Sequence, residues 1–276
     1  MRVETSSLPV VLAIGGHDPS GGAGIQADIE AIGANSAHAV TLITCLTEQN
    51  SCNVQALNPV APQLLSRQAE LLLADSPADA IKIGLLGSLE AVDFVAGLIQ
   101  SHPGMPVVLD PVLKASGGSK LADTALQQSM REQLLPQCDL ITPNIPEAIS
   151  LSGLDSDATP EDCANRLLGM GAGAVLITGT HEPTQATEIT HRLYRTGGPV
   201  IASRCRRLPG EYHGSGCTLA AAVAARLASG APLEQAVASA LDFTWQSLRH
   251  AFQSGRCQAT PQRLYRLDRS RQGVDE

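Results

Sequence analysis

Val10-Val11-Leu12-Ala13-Ile14-Gly15-Gly16-His17-Asp18-Pro19-Ser20-Gly21-Gly22-Ala23-Gly24-Ile25-Gln26-Ala27-Asp28 reads as an apolar run of strand length, a glycine-rich loop and the start of a segment with helical period. Similar apolar runs recur at 40–46, 80–86, 107–109, 140–142 and 174–178. Between and after them lie amphipathic stretches at 25–34, 62–74, 89–100, 124–135, 160–170, 218–229 and 233–253. Strands that alternate with helices in this way make βαβ units, whose sheet is mostly parallel and covered on both faces. The expected fold is therefore α/β, a three-layer α-β-α sandwich. Thr159 followed by Pro160-Glu161-Asp162 is a helix start with a cap residue, a proline at the first position and acids in the first turn. Residues 192–194 and 200–208 read as a late antiparallel pair at the sheet edge. No Pro-, Gly- or Ser-rich linker divides the chain, so one domain is expected over 1–253. A polar tail follows over 254–276, with Arg256, Arg263, Arg266, Arg269 and Arg271, and it reads as a solvated extension packed loosely on the surface.

Composition narrows the function classes. The 276 residues are 43% apolar, enough for a full core. A net charge of -8 and only three lysines (Lys82, Lys114, Lys120) argue against nucleic acid as the main partner. No apolar run approaches the ~20 residues of a membrane span, and the stretch before the first strand lacks a signal peptide's basic region. Seven cysteines, an odd number without Cys-x-x-Cys spacing, argue against a disulfide framework or a zinc site. They read as reduced, mostly buried thiols of a cytoplasmic protein.

In open parallel sheets the ligand lies beyond the carboxyl ends of the strands. Polar residues and glycines collect there: Gly15 to Gly24 after the first run, Thr47-Glu48-Gln49-Asn50 after the second, Gly84-Leu85 after the third. Asp110-Pro111, Pro143-Asn144-Ile145-Pro146-Glu147 and Gly179-Thr180-His181 follow the others. The glycine loop lacks the Gly-Lys-Ser/Thr of a P-loop, and its glycines come too late after the strand for a dinucleotide fingerprint. Asn144-x-x-Glu147 suits Mg²⁺ held through water and carboxylate, but a helix cap with its first-turn acid is the commoner use of such residues and on the motif alone is preferred. Asp28, one turn into the first helix, is placed to accept from a ligand amino group or is an ordinary first-turn acid.

His213-Gly214-Ser215-Gly216-Cys217-Thr218 opens a small, apolar helix. A helix start carries roughly half a positive charge and unpaired N–H donors, which seat a phosphate or an oxyanion.

Five segments occur in register. Gly16-x-Asp18-Pro19-Ser20-Gly21-Gly22-Ala23-Gly24-Ile25-Gln26-Ala27-Asp28, Lys82-Ile83-Gly84-Leu85, Leu109-Asp110-Pro111-Val112, Ile141-Thr142-Pro143-Asn144-x-Pro146-Glu147-Ala148 and His213-Gly214-Ser215-Gly216-Cys217-Thr218-Leu219 together resemble the hydroxymethylpyrimidine and phosphomethylpyrimidine kinases of the ribokinase-like superfamily. The resemblance implies a ribokinase-like fold. It also implies ATP- and Mg²⁺-dependent phosphorylation of 4-amino-5-hydroxymethyl-2-methylpyrimidine and of its monophosphate in thiamine biosynthesis, and a homodimer. Carried over by position, it implies Gly16, Asp28, Thr47, Gln49 and Leu85 around the pyrimidine. Gly214, Ser215, Gly216 and Cys217 form the anion hole and catalytic turn, with Cys217 where sugar kinases of the superfamily carry an aspartate base. Asn144, Thr178, Gly179 and Lys114 fall to the nucleotide, and Glu147 and Asp110 to the metal. Two departures stand out: Thr178 replaces the family's usual lysine, and Lys114 is displaced in its loop. A pyridoxal kinase on the same scaffold, or a pyrimidine-binding module without catalysis, are the competing readings.

Overall fold

The computed structural model describes residues 8–115, 117–181 and 187–267. Met1 to Ser7, Ser116, Arg269 and Arg271 of the sequence reading lie outside them. The strands are β1 (Val10–His17), β2 (His38–Gln49), β3 (Val54–Pro59), β4 (Ala80–Ile83), β5 (Val107–Leu109), β6 (Leu140–Ile141), β7 (Ala174–Ile177), β8 (Glu188–Arg195) and β9 (Ile201–Arg206). The helices are α1 (Gly24–Ala34), α2 (Pro62–Asp75), α3 (Leu89–Ser101), α4 (Thr124–Ser129), α5 (Ile145–Ser152), α6 (Pro160–Gly169), α7 (Ser215–Ala228) and α8 (Leu233–Arg249). Among the described residues the strands form one nine-stranded sheet in the order β3-β2-β1-β4-β5-β6-β7-β8-β9. Neighbours from β2 to β7 pair in parallel, while β3 at one edge and β8–β9 at the other are antiparallel.

The sheet is buried on both faces, and its residues alternate between two cores. Leu12, Ile14, Ile81 and Ile83 pack with α3 and its neighbours, whereas Val11 and Ala13 pack with α1, α7 and α8. Side chains of a strand point alternately to opposite faces, which produces this division. The face of α7 from Leu219 to Ala225 is almost entirely alanine and fully buried; small side chains bring its axis close to the sheet and so fix the position of its first turn.

Several expectations need correction. The stretch expected as a single helix over 124–135 is α4 continued by a π turn over Met130–Leu134 and a short 3₁₀ turn. The helix expected to reach 253 stops at Arg249. The tail is not loosely packed: Phe252 and Thr260 exchange backbone hydrogen bonds, and Gln258, Thr260, Arg263 and Tyr265 are buried. The cysteines are not all reduced, because Cys52, on the β2–β3 turn, is joined to Cys257 of the returning C-terminal segment. That segment lies on the turn, with Gln258 N–H donating to the Ser51 carbonyl at 3.2 Å. The other cysteines, Cys217 among them, are free. No helix among the described residues is long and apolar enough to cross a membrane.

Candidate active site

α7 packs on β1, β4 and β5, and the segments that follow β1 and β5 reach its N-terminus, Gly22 at Gly214 and Asp110 at Gly216. After β1 the chain turns on Asp18. Its Oδ1 accepts from the Ser20 N–H and hydroxyl, at 2.8 and 2.7 Å, and its Oδ2 accepts from the Ala23 N–H at 2.8 Å. His213 Nε2 lies 2.8 Å from the same Oδ2. The loop before α1 is thereby tied to the turn before α7, and a Cβ on Gly22 would stand 2.2 Å from the His213 ring. Burial works against the charged carboxylate, but the hydrogen bonds from His213, Ser20 and Ala23 overcome it and hold the Asp18 pKa at about 2. A depressed carboxylate stabilises the fold above its unfolded pKa and loses that contribution as pH falls through the folded one. Asp18→Asn should therefore lose about 2 kcal/mol at neutral pH. In urea titrations the gap from wild type should narrow below about pH 4; a gap independent of pH would refute the assignment.

Gly214 caps α7 at φ 84°, a left-handed conformation that favours glycine, and no side chain satisfies the first N–H groups. Gly216, in the first turn of α7, comes close to the Asp110 carboxyl that follows β5, whose oxygens lie 3.5 and 3.6 Å from where a Gly216 Cβ would stand. Cys217 lies close to the Gly24 N–H and to the Asp110 carboxyl. Burial, reinforced by Asp110 and Asp28, outweighs Lys82 and pushes the thiol up to about 12. Cys217 is therefore a neutral thiol at physiological pH, which removes it as a resting base.

Beneath this turn is a buried charge cluster that the sequence reading did not assign. Lys82, in the middle of β4, is 1% exposed. Its Nζ lies 2.8 Å from Asp28 Oδ1 and donates to Oδ2 at 2.9 Å. Burial disfavours the ammonium, yet Asp28, Cys217 and Asp110 together raise its pKa well above the usual lysine value. Asp28 is 0% exposed, so it stands below the mouth and holds Lys82 instead of presenting its carboxylate at the opening. The readable signal was a lone charge in the otherwise apolar strand Ala80-Ile81-Lys82-Ile83, a placement that needs a buried partner.

The remaining candidates divide by strand. Gly16 sits between Cys45 and Leu85. The Thr47 hydroxyl donates to the His17 carbonyl at 2.8 Å, and Leu85 is held through its carbonyl by the Thr44 hydroxyl at 2.6 Å. Gln49, at the end of β2, lines a cleft of about 450 Å³ with Pro19, Ser20 and the Ser254–Arg256 segment. Gly16, Thr47, Gln49 and Leu85 thus share one end of the site. At the other end Thr178 and Gly179 follow β7, with Thr178 bridged to Asn144. Asn144 and Glu147 form a reciprocal capping box on α5: Asn144 Oδ1 accepts from Glu147 N–H and Glu147 Oε2 from Asn144 N–H, both at 3.0 Å. The structural and the cation readings of this pair therefore coexist, because Glu147 Oε1 is left to the weak 3.4 Å contact with Leu113 N–H. Lys114 is exposed in a small hairpin bridged to Lys120, away from the buried cluster.

Burial, with the neighbouring Asp110 charge, pushes Glu147 up to about 8. Burial likewise raises Asp110 against the pull of Lys82 and Cys217. Two buried carboxyls that are costly to ionise suit a divalent cation. Among the described residues no group of three or more His, Cys, Asp or Glu is placed to hold a metal alone. The pair fits Mg²⁺, which keeps waters and shares one or two carboxylates with substrate phosphates.

A bare helix start, a glycine loop locked to it and a carboxylate pair beside it, on a ribokinase-like α/β sheet, define a phosphotransferase acting on a small molecule. The family model for phosphomethylpyrimidine kinase matches residues 18–262. A hydroxymethylpyrimidine/phosphomethylpyrimidine kinase of Haemophilus influenzae is 35% identical over 254 residues, which are 91% of this chain and 94% of that protein. The chain belongs to the phosphomethylpyrimidine kinase family. A thiamine biosynthesis multifunctional protein of Corynebacterium glutamicum is also 35% identical, over 90% of this chain, but the match spans only 33% of that longer protein. Among solved structures, the ADP complex of Bacillus subtilis pyridoxal kinase superposes with a TM-score of 0.85 at 31% identity, covering 95% of this chain and 100% of that one.

Proposed function

We propose that this chain transfers the γ-phosphoryl group of ATP to the hydroxymethyl oxygen of 4-amino-5-hydroxymethyl-2-methylpyrimidine, and a second group to the resulting monophosphate, in thiamine biosynthesis. The observation that carries the reading is the uncapped start of α7 at Gly214, set against Asp110 and the Lys82–Asp28 pair. Gly16, Thr47, Gln49 and Leu85 hold the ring. The N–H groups of Gly214 to Cys217 receive the charge that develops on the transferring group, where positioning and electrostatics dominate the barrier. The Cys217 thiol orients the hydroxymethyl group, and Lys82 holds Asp28 in place and attracts Asp110 against the effect of burial. Asn144, Thr178 and Gly179 border the nucleotide, with Lys114 as its outer cation. Asp110 and Glu147 would hold Mg²⁺, which would supply neutralising charge to the phosphates. We further propose that the C-terminal segment belongs to the same domain as residues 1–253, and that the protein is a cytoplasmic homodimer.

The likeness to a pyridoxal kinase favours a second reading, in which a pyridine alcohol is the acceptor. Coupled ADP release with hydroxymethylpyrimidine, its monophosphate and pyridoxal as parallel acceptors decides between them. Turnover with both pyrimidines is the expected result. ADP release with pyridoxal alone would reverse the assignment, and release with none would refute kinase activity.

A further inference from the structure

Among the fully buried side chains the largest belongs to Arg263, at 0% exposure, one residue beyond the stretch that the family model matches. Its guanidinium sits between the two glycine-rich loops of the site. Nε donates to Thr218 Oγ1 at 2.8 Å, and the Thr218 hydroxyl donates in turn to the Gly214 carbonyl at 2.7 Å. Nη2 donates to the Gly22 carbonyl. Nη1 donates to Glu30 Oε2 at 3.0 Å and reaches the Gly21 carbonyl at 3.5 Å. One cation therefore holds the loop before α1 directly and the cap of α7 through a hydroxyl.

Burying a charge costs several kcal/mol unless its donors are used. Here a carboxylate balances the charge, while the other donors go to the backbone that shapes the site. Only a planar fork reaches these acceptors in several directions at once; an ammonium is a point charge. The segment that carries Arg263 is itself fixed: Gln262 N–H donates to the Ser247 carbonyl at 2.9 Å, and Tyr265 stacks on His250 with ring centroids 5.1 Å apart.

We propose that Arg263 is a positioning residue for phosphoryl transfer, clamping the Gly21–Gly22 loop against the Gly214–Thr218 turn so that the N–H groups of the anion hole keep their aim. The inference rests on the reading of Gly214 to Cys217 as that hole.

Arg263→Lys, Arg263→Ala and Thr218→Val test it by steady-state kinetics, thermal melting and amide hydrogen exchange. In all three variants kcat should fall about 100-fold, the scale of one lost oxyanion donor. KM for the pyrimidine should change less than about threefold, because Gly16, Thr47, Gln49 and Leu85 are untouched. Millimolar guanidinium should restore part of the kcat of Arg263→Ala and none of that of Arg263→Lys. Exchange at the Gly22, Ser215 and Gly216 amides should quicken about tenfold in Arg263→Lys, while amides in the β1 and β4 core keep wild-type rates. Wild-type kcat in Arg263→Lys, or a loss that follows the unfolded fraction and resists guanidinium, would overturn the proposal. If Arg263→Ala fails to fold, Arg263→Lys and Thr218→Val decide it. If wild type itself turns over no acceptor, the kinase reading has failed, and the exchange rates at those amides still decide whether Arg263 clamps the loops.

Discussion

Lys82→Met should destabilise the protein by about 3–5 kcal/mol, the usual cost of removing one partner from a buried ion pair. Methionine keeps much of the volume and unbranched shape but leaves Asp28, 0% exposed, and Asp110, 5% exposed, without their cation. One part of the pH dependence follows from the raised Lys82 pKa. A lysine raised by its partners contributes fully below its unfolded pKa of about 10.4, and loses the contribution only as pH climbs through the folded value. Lysine alone would give a flat gap from about pH 6 to 9, but burial raises Asp28 and Asp110 and Lys82 is the main group that pulls them down. In urea titrations the gap between wild type and variant should therefore narrow as pH falls and the stranded carboxyls take up protons. Lys82→Met/Asp28→Asn should recover much of the loss, because it removes the stranded charge as well as its partner. Turnover should fall about 100-fold in the single variant, since the Asp110–Cys217 contact loses its counter-charge. Wild-type stability in Lys82→Met would show that the cluster is not held by charge balance.

Gly214→Ala should have the larger catalytic effect. The residue sits at φ 84°, and a Cβ there would stand 2.0 Å from the Gly22 carbonyl and 2.9 Å from Ala23 Cα. Both obstacles are backbone, so the glycine loop itself must retreat. The left-handed conformation adds about 1–2 kcal/mol of strain for a residue with a Cβ. Retreat of Gly22 breaks the fit between loop and helix start, so kcat should fall at least about 10²- to 10³-fold while the global melt shifts by only a few degrees. Gly230→Ala, also at positive φ but with open space around its Cβ, is the control for strain alone; it should melt early and keep its kcat. Equal losses in the two variants would mean that backbone strain, and not the contact with Gly22, sets the rate.

How far the sequence reveals this molecule depends on how far apart the interacting residues lie. The parallel core is legible because each strand carries its own apolar run, and 174–178 needs no distant partner to be read. β3, Val54-Gln55-Ala56-Leu57-Asn58-Pro59, is not: half of it faces solvent, and it becomes a strand only by antiparallel pairing with β2. The site's outline is legible for the same reason as the core, since each strand end declares its polar residues locally. Its interior is not. Asp28 reads as a residue at the mouth until Lys82, distant in sequence, is folded against it. Arg263 reads as one arginine of a polar tail until the chain returns to the two glycine loops. Asn144 and Glu147 show a different limit: the motif reads first as a helix cap, which the structure shows, and local sequence does not reveal that burial beside Asp110 raises Glu147.

The Cys52–Cys257 bond joins residues 205 apart, so the oxidised polypeptide is in covalent terms a ring with two free ends, and every strand of the sheet apart from β1 and β2 lies inside it. A single proteolytic cut within the ring leaves the fragments tethered: the nicked protein runs as one chain in denaturing gels and separates only on reduction. Arg263 lies on the free end just outside the clasp. A cut between 258 and 262 would thus sever the covalent tie of Arg263 to the ring, leaving it held only by its hydrogen bonds and packing, while the rest of the chain stays in one piece.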